Sequence, residues 1–290
     1  GWCPGGVAQA FRLEVPAQLP ATPPGHQPAW VPPPSLLGAR ASSLSIMYGR
    51  DIEAGARMPQ ASPQVHLAVE SARRGFVRKV YGLVAVQLGA TALFAAPLAT
   101  ASDAWLNAHA TLFVGSTLGF LALAVGLMCG LSHILRQYPW NLVILAAFTA
   151  LEAVSVGFIC AAYELHSVLL CLGATATIAG ALTLFAFTTK VDVTQIGGYL
   201  RAMSLSLFFL GLAGLFLRVP MLQAAYAIGG AVLFSGYIVY DTQLIMGGKH
   251  QEKRFSIDDY VLASLSLYMD VVRLFLFLLR IFGEQRRSRR

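Results

Sequence analysis

Seven apolar runs, each of about 20 residues or more, fill the chain after residue 80 and constrain its fold more than any other feature. A helix rises about 1.5 Å per residue, so a run of this length crosses the roughly 30 Å of hydrocarbon in a bilayer. The chain is 12% charged, whereas soluble domains carry about 25% charged residues. The sequence therefore predicts an all-α, polytopic membrane helix bundle of about seven transmembrane helices. The predicted spans are Tyr81–Thr100, Thr111–Leu135, Leu142–Tyr163, Ser167–Thr188, Gly198–Leu217, Leu222–Met246 and Tyr260–Phe282.

The composition divides the chain into three parts. Residues 1–65 are rich in proline and have no hydrophobic period, which predicts a disordered N-terminal segment. Residues 66–283 hold the seven-helix transmembrane domain, and residues 284–290 form a basic tail. The opening residues lack the basic-then-apolar pattern of a signal peptide, so we expect the first span to direct insertion, with Met47 as a candidate initiator.

Basic residues indicate the orientation of the spans. The net charge is +7, but the basic residues flank apolar runs, so we expect no nucleic-acid partner. Four of them (Arg73, Arg74, Arg78 and Lys79) precede the first span, and basic and non-basic loops then alternate, which predicts a cytosolic N-terminus. Seven full spans would leave the basic tail on the opposite side, against the rule. The alternative is a re-entrant last run whose tail returns to the cytosol.

The cysteines and histidines give no sign of a metal centre. The chain has four cysteines and six histidines, without any C-x-x-C or H-x-x-x-H spacing. Neither a disulfide framework nor a zinc site follows from such scattered residues. We predict no cofactor.

Two aspartates lie inside apolar runs, Asp241 in the sixth and Asp270 in the seventh. An acid in hydrocarbon costs at least about 2.5 kcal/mol unless it gains a partner, so each marks a candidate functional site. If they meet, both cannot ionise in a low dielectric, and they share a proton as a coupled pair. We predict a latch that holds the helices together when protonated and attracts a cation such as calcium when deprotonated. Alternatively, each acid is satisfied separately by a backbone group, a water or a basic side chain.

The last run carries a polar face that suits the centre of a bundle. Its members recur at helical spacing and are Asp259, Ala263, Ser266, Asp270 and Arg273. Glycines of the sixth run permit a neighbouring helix to approach closely, namely Gly229, Gly230 and Gly236. The sequence thus predicts close packing of the last two helices.

Two further charged residues are candidates for a latch or an ion pathway. Glu152, near the middle of the third run, either lines the cavity of the aspartates or bonds to a neighbouring helix. Arg136, at the end of the second run, either reaches an acid or anchors its helix at the interface.

The last two spans resemble the Bax inhibitor-1 (transmembrane Bax-inhibitor-motif) family in the segments GGAVLFSGYIVYDTQLIM and DDYVLASLSLYMDVVRLFLFLLR. The segments FVRKVYGLVAVQL and FTALEA are similar to its lifeguard 4 or Golgi anti-apoptotic branch. The likeness runs from about Val65 to Phe282. It implies a bundle with a central last helix. It also implies a pH-controlled calcium leak across a Golgi or endoplasmic reticulum membrane, which lowers the calcium content of internal stores and suppresses cell death.

The resemblance also implies roles for single residues. The aspartate pair of the family, with calcium as a transient ligand, falls on Asp241 and Asp270, and a latching basic residue falls nearest Arg136. The family usually has asparagine three residues after the second aspartate, whereas this chain has Arg273. At that spacing we expect Arg273 to pair with Asp270 and to shift the pH response of the leak downward.

Two other functions compete with a channel. A non-conducting regulator would act on other membrane proteins of cell-death control through its helices or its basic tail. An intramembrane aspartyl protease also pairs two acids from consecutive spans, but it needs Gly-x-Gly-Asp and a later Pro-Ala-Leu, and neither occurs around Asp270. We therefore predict that the protein is not an enzyme. Its expected partners are the lipid bilayer, calcium ions and, under the regulator hypothesis, other membrane proteins.

Overall fold

The computed structural model describes residues 63–129, 131–217, 219–247 and 255–286. The segment predicted to be disordered lies outside these residues apart from its last three, and so does the end of the basic tail. The described α-helices are α1 (Pro63–Ala99), α2 (Asp103–Ala108), α3 (Ala110–Met128), α4 (Trp140–Ala161), α5 (Leu165–Thr188), α6 (Gly197–Leu217), α7 (Pro220–Met246) and α8 (Tyr260–Phe282). Short 3₁₀ helices precede α4, α6 and α8 at Leu131–Arg136, Val193–Ile196 and Ile257–Asp259.

All of these α-helices except α2 are long and apolar enough to cross a membrane, seven in the described part of the chain. The predicted all-α membrane bundle is thereby confirmed. Two boundaries differ from the sequence prediction. α1 begins at Pro63, well before Tyr81, because basic residues end an apolar run without ending a helix. The second span was predicted to reach Leu135, but α3 ends at Met128, because apolar composition does not fix where a helix stops.

Successive helices run between two ends of the bundle, which we call the Arg73 end and the Tyr163 end after a residue at each. α8 begins at the Arg73 end, where Asp259 binds Arg136. It finishes at the Tyr163 end, where the backbone N–H of Glu164 donates to the carbonyl of Glu284 at 2.9 Å. The last helix therefore runs the length of the bundle, as expected for a full span. Which end faces the cytosol stays a prediction.

α8 lies at the centre of the bundle, as predicted. In its most apolar stretch of 18 residues 67% of the residues are buried, against 6% in the corresponding stretches of α3 and α6. It packs against α1, α4, α5 and α7. Apolar side chains on several sides of the helix are in the core, including Leu267, Val272, Leu274, Phe275 and Leu279. A polar group in the middle of α8, such as Asp270, is consequently held among other helices, away from lipid.

Candidate functional site

Asp241 and Asp270 meet at the contact between α7 and α8, where their carboxyl groups are hydrogen-bonded to each other. Each residue is only 6% exposed. An ionised carboxylate can only accept hydrogen bonds, so a hydrogen bond between two carboxyl groups requires a proton on one of them. The arrangement is therefore a closed, proton-holding pair. That the pair senses pH or passes ions stays a prediction.

One oxygen of the pair lacks a donor in the part of the chain that the structure describes. Asp270 Oδ2 is buried, and no N–H or O–H group of the described residues donates to it. A buried acceptor left without a donor costs about 1–3 kcal/mol. A cation bound at this oxygen would remove that cost.

Hydroxyl groups of α1, α6 and α7 lie near the pair. Tyr237 of α7 interacts electrostatically with the carboxyl groups of Asp241 and Asp270 and with Arg201 on α6. Its hydroxyl is 2.9 Å from Oγ of Ser204 on α6. The hydroxyl of Tyr81 on α1 is 3.1 Å from Oγ1 of Thr242, the residue after the α7 aspartate. Hydroxyl groups both donate and accept, so this layer can adapt to a change of charge on the pair.

Arg73 of α1 secures the C-terminus of α7, about a turn beyond Asp241. Its guanidinium donates to the carbonyl oxygens of Leu244 at 2.7 Å, Met246 at 2.9 Å and Phe255 at 2.6 Å. The last carbonyls of a helix have no partner within the helix, so the cation satisfies two of them and also holds the chain that leads to α8. The sequence indicated Arg73 only as an orientation signal, because nothing in a local pattern reveals a partner on a distant helix.

The prediction that Arg136 pairs with Asp241 of α7 as a latch is wrong. Arg136 instead forms a bidentate pair with Asp259, with Nε at 2.7 Å from Oδ1 and Nη2 at 3.2 Å from Oδ2. The hydrogen bond to this carboxylate raises the pKa of Arg136 above its usual value. The pair closes the Arg73 end of the bundle between α3 and α8, away from the Asp241 carboxyl. Because the arginine is exposed, the contact contributes little to stability.

The expected pairing of Arg273 with Asp270 is also wrong. Arg273 Nη2 lies 3.7 Å from Oε1 of Glu152 on α4, and its guanidinium lies 5.4 Å from the centre of the Phe120 ring of α3. Glu152 is 3% exposed, and its ion pair with Arg273 corresponds to the second of the two alternatives, contact with a neighbouring helix. Asp270 and Arg273 differ by about 60° around α8, which is enough to direct one toward α7 and the other toward α4.

The predicted polar face of α8 is therefore divided among three neighbours. Asp259 faces Arg136, Asp270 faces α7 and Arg273 faces α4. Each polar group has a different partner helix, which the spacing of residues on one helix could not show.

Calcium remains the ion predicted for the pair. In the described residues, no three His, Cys, Asp or Glu side chains are grouped so that they could hold a metal. Calcium takes six to eight oxygen ligands, and two carboxylates offer at most four. A calcium ion held by Asp241 and Asp270 would therefore keep part of its water shell.

Comparisons with known proteins identify the family of the chain. A family described as "Inhibitor of apoptosis-promoting Bax1" matches residues 73–287. Protein lifeguard 3 of Homo sapiens is 29% identical over 73% of this chain and 70% of its own length. Protein lifeguard 3 of Mus musculus is 28% identical over 97% of this chain and 93% of its own.

A viral relative is equally similar. The Golgi anti-apoptotic protein of Vaccinia virus (strain Lister) is 30% identical over 86% of this chain and 96% of its own length. The family description and the name of this relative refer to the inhibition of apoptosis, and neither denotes an enzyme. The family match covers more than half of the chain and includes both aspartates, and the resemblance read from the last two spans is confirmed. The chain belongs to the Bax inhibitor family.

Proposed function

We propose that the protein is a pH-sensitive calcium leak channel of an intracellular membrane, gated by the proton that Asp241 and Asp270 share. The observation that supports the proposal is the hydrogen bond between two buried carboxyl groups on neighbouring helices. Such a bond exists only while a proton is present, so the contact between α7 and α8 depends on pH.

Loss of the proton reverses the interaction. Two carboxylates at hydrogen-bonding distance repel each other strongly in a low dielectric, which drives α7 and α8 apart. The same negative charge attracts a divalent cation, and hard oxygen ligands favour calcium. The leak therefore increases as the pH rises and decreases as the pH falls.

Calcium flux from proteoliposomes tests the proposal directly. The full chain is reconstituted with an entrapped calcium indicator, and the initial rate is measured across pH 5.5 to 8. Asp241→Asn and Asp270→Asn keep the size of the side chain but cannot ionise, so we expect a low flux that no longer rises with pH. Asp103→Asn, in the exposed short helix α2, is the matched control and keeps the parental profile.

Two results would contradict the proposal of a pH-gated calcium channel. If the parent protein gives no flux above empty liposomes at any pH, the protein does not conduct calcium. If both asparagine variants keep the parental pH dependence, calcium passes but the aspartate pair does not sense the proton.

The names of the family and of the viral relative support a role in suppressing cell death at the Golgi. In the proposed mechanism, a leak lowers the calcium that internal stores can release during a death stimulus. Cells that express the protein should hold less store calcium and survive longer, and Asp270→Asn should abolish both effects together.

A second candidate is a non-conducting regulator, favoured by the family description, which names Bax1 as the target. The double variant Asp241→Asn, Asp270→Asn separates the two functions. A regulator that acts through protein contacts retains protection in this variant, whereas a leak channel loses it.

A further inference from the structure

A groove separates α6 from α7 at the Tyr163 end of the bundle, far from the aspartate pair. Its volume is about 310 Å³. The apolar part of its wall consists of leucines, aromatic rings and two glycines, including Phe208, Gly211, Gly214, Leu215, Leu222 and Tyr226. Gly214 has open space where a side chain would stand, so the absence of a Cβ there leaves the groove unfilled.

The mouth of the groove is polar and positively charged. Gln223, in the first turn of α7, and Arg280, in the last turn of α8, both line it. The Arg280 guanidinium lies 5.1 Å from the centre of the Tyr226 ring. Within the ranges that the structure describes, Arg280 makes no hydrogen bond to protein and has no carboxylate partner. A guanidinium has five N–H donors and no acceptor, so it can still bind an anion.

The depth of the groove matches one leaflet of a bilayer. Arg280 is two residues from the end of α8, which places the cation near the level of lipid headgroups. Phe208 lies nine residues before the end of α6 at Leu217, or about 14 Å along the helix axis. Half of a roughly 30 Å hydrocarbon core is about 15 Å. The apolar wall therefore extends as far as the acyl chain of a single lipid.

We infer that this groove binds a glycerophospholipid, with the phosphodiester on Arg280 and Gln223 and one acyl chain along the wall formed by Gly211 and Gly214. Arginine binds phosphate through two parallel N–H···O bonds. Basic pockets between transmembrane helices are suited to phospholipid headgroups. The lipid would contact Tyr226, whose ring packs edge-on against Phe277 of α8 at 5.2 Å, and would thus support the packing of α7 on α8.

Lipid retention by the full chain tests this site. The protein is purified in mild detergent, incubated with dioleoylphosphatidylglycerol and analysed by native mass spectrometry. We expect the parent protein to retain one lipid tightly. Arg280→Gln should bind this lipid at least about tenfold more weakly, because charge-assisted hydrogen bonds to the phosphate are lost. Gly214→Leu keeps the cation but fills the groove, and it should lose the lipid as well. Arg286→Gln, which changes an exposed arginine at the same end, is the control and should retain it.

Two competitor arms identify the bound group. Dioleoylglycerol has the same acyl chains without phosphate and should not be retained, and inorganic phosphate should not displace the lipid. The site is refuted if the parent and all three variants retain the same amount, which means annular lipid only. Displacement by inorganic phosphate, or full retention by Gly214→Leu, would also refute it, since the apolar groove would then contribute nothing.

Discussion

The ring of Phe277 on α8 lies against the backbone of Gly230 on α7, in the space that a side chain at position 230 would occupy. This contact lets the two helices approach closely about three turns from the aspartate pair. The three glycines predicted to permit close approach therefore face different neighbouring helices. Gly230 faces α8, whereas Gly229 and Gly236 are nearest to Leu207 and Leu200 of α6.

Gly230→Ala should destabilise the protein by about 1–3 kcal/mol, because its methyl group would overlap the Phe277 ring in a well-packed core. Gly229→Ala is the matched control, since its Cβ would stand 3.5 Å from Leu207, an ordinary contact. Thermal unfolding in detergent measures both. Equal midpoints for the two variants would show that α7 and α8 are not packed through Gly230.

Arg273→Asn should lower stability by about 1–3 kcal/mol, because it leaves the buried Glu152 carboxylate without its partner. Adding Glu152→Gln should recover part of the loss, since the amide carries no charge to satisfy. A double-mutant cycle gives the coupling energy. A coupling near zero would mean that the 3.7 Å contact contributes nothing.

The same variant also tests the corrected pairing through calcium flux. Because Arg273 pairs with Glu152 and not with Asp270, we expect Arg273→Asn to leave the pH midpoint of the proposed leak nearly unchanged. A clear move of the midpoint to higher pH would instead support direct action on Asp270.

Arg73→Gln should destabilise the protein by about 1–3 kcal/mol, since a glutamine cannot donate to three carbonyl groups on two segments. Arg74→Gln changes the exposed neighbour and should have almost no effect. Hydrogen exchange of the last turn of α7 locates the change. Unaltered protection there in Arg73→Gln would contradict the proposed stabilisation of the helix end.

Arg136→Gln should shift the unfolding midpoint by no more than about 3 °C, because the pair with Asp259 is exposed on the arginine side. The small shift should disappear in high salt, which screens exposed charges. A large shift that persists in high salt would show that Arg136 has a buried partner as well.

The sequence by itself determined the membrane bundle, the number of spans and the two acids that form the buried pair. Apolar runs predict spans because lipid imposes a length and a composition on each helix separately. Asp241 and Asp270 could be identified because an acid inside such a run is costly wherever its partner lies. These are properties of one segment at a time, and a single sequence carries them.

Only the tertiary structure decided which charges meet. Arg273 stands three residues from Asp270 yet pairs with Glu152, and Arg136 pairs with Asp259 instead of Asp241. Arg73 binds the end of α7 from a helix 171 residues away in sequence. Such pairings depend on how each helix is rotated against its neighbours, and that rotation is set by packing across the whole core, including the fit of Phe277 against Gly230. The period of one helix places a residue on a face, but the neighbouring helices determine what that face meets.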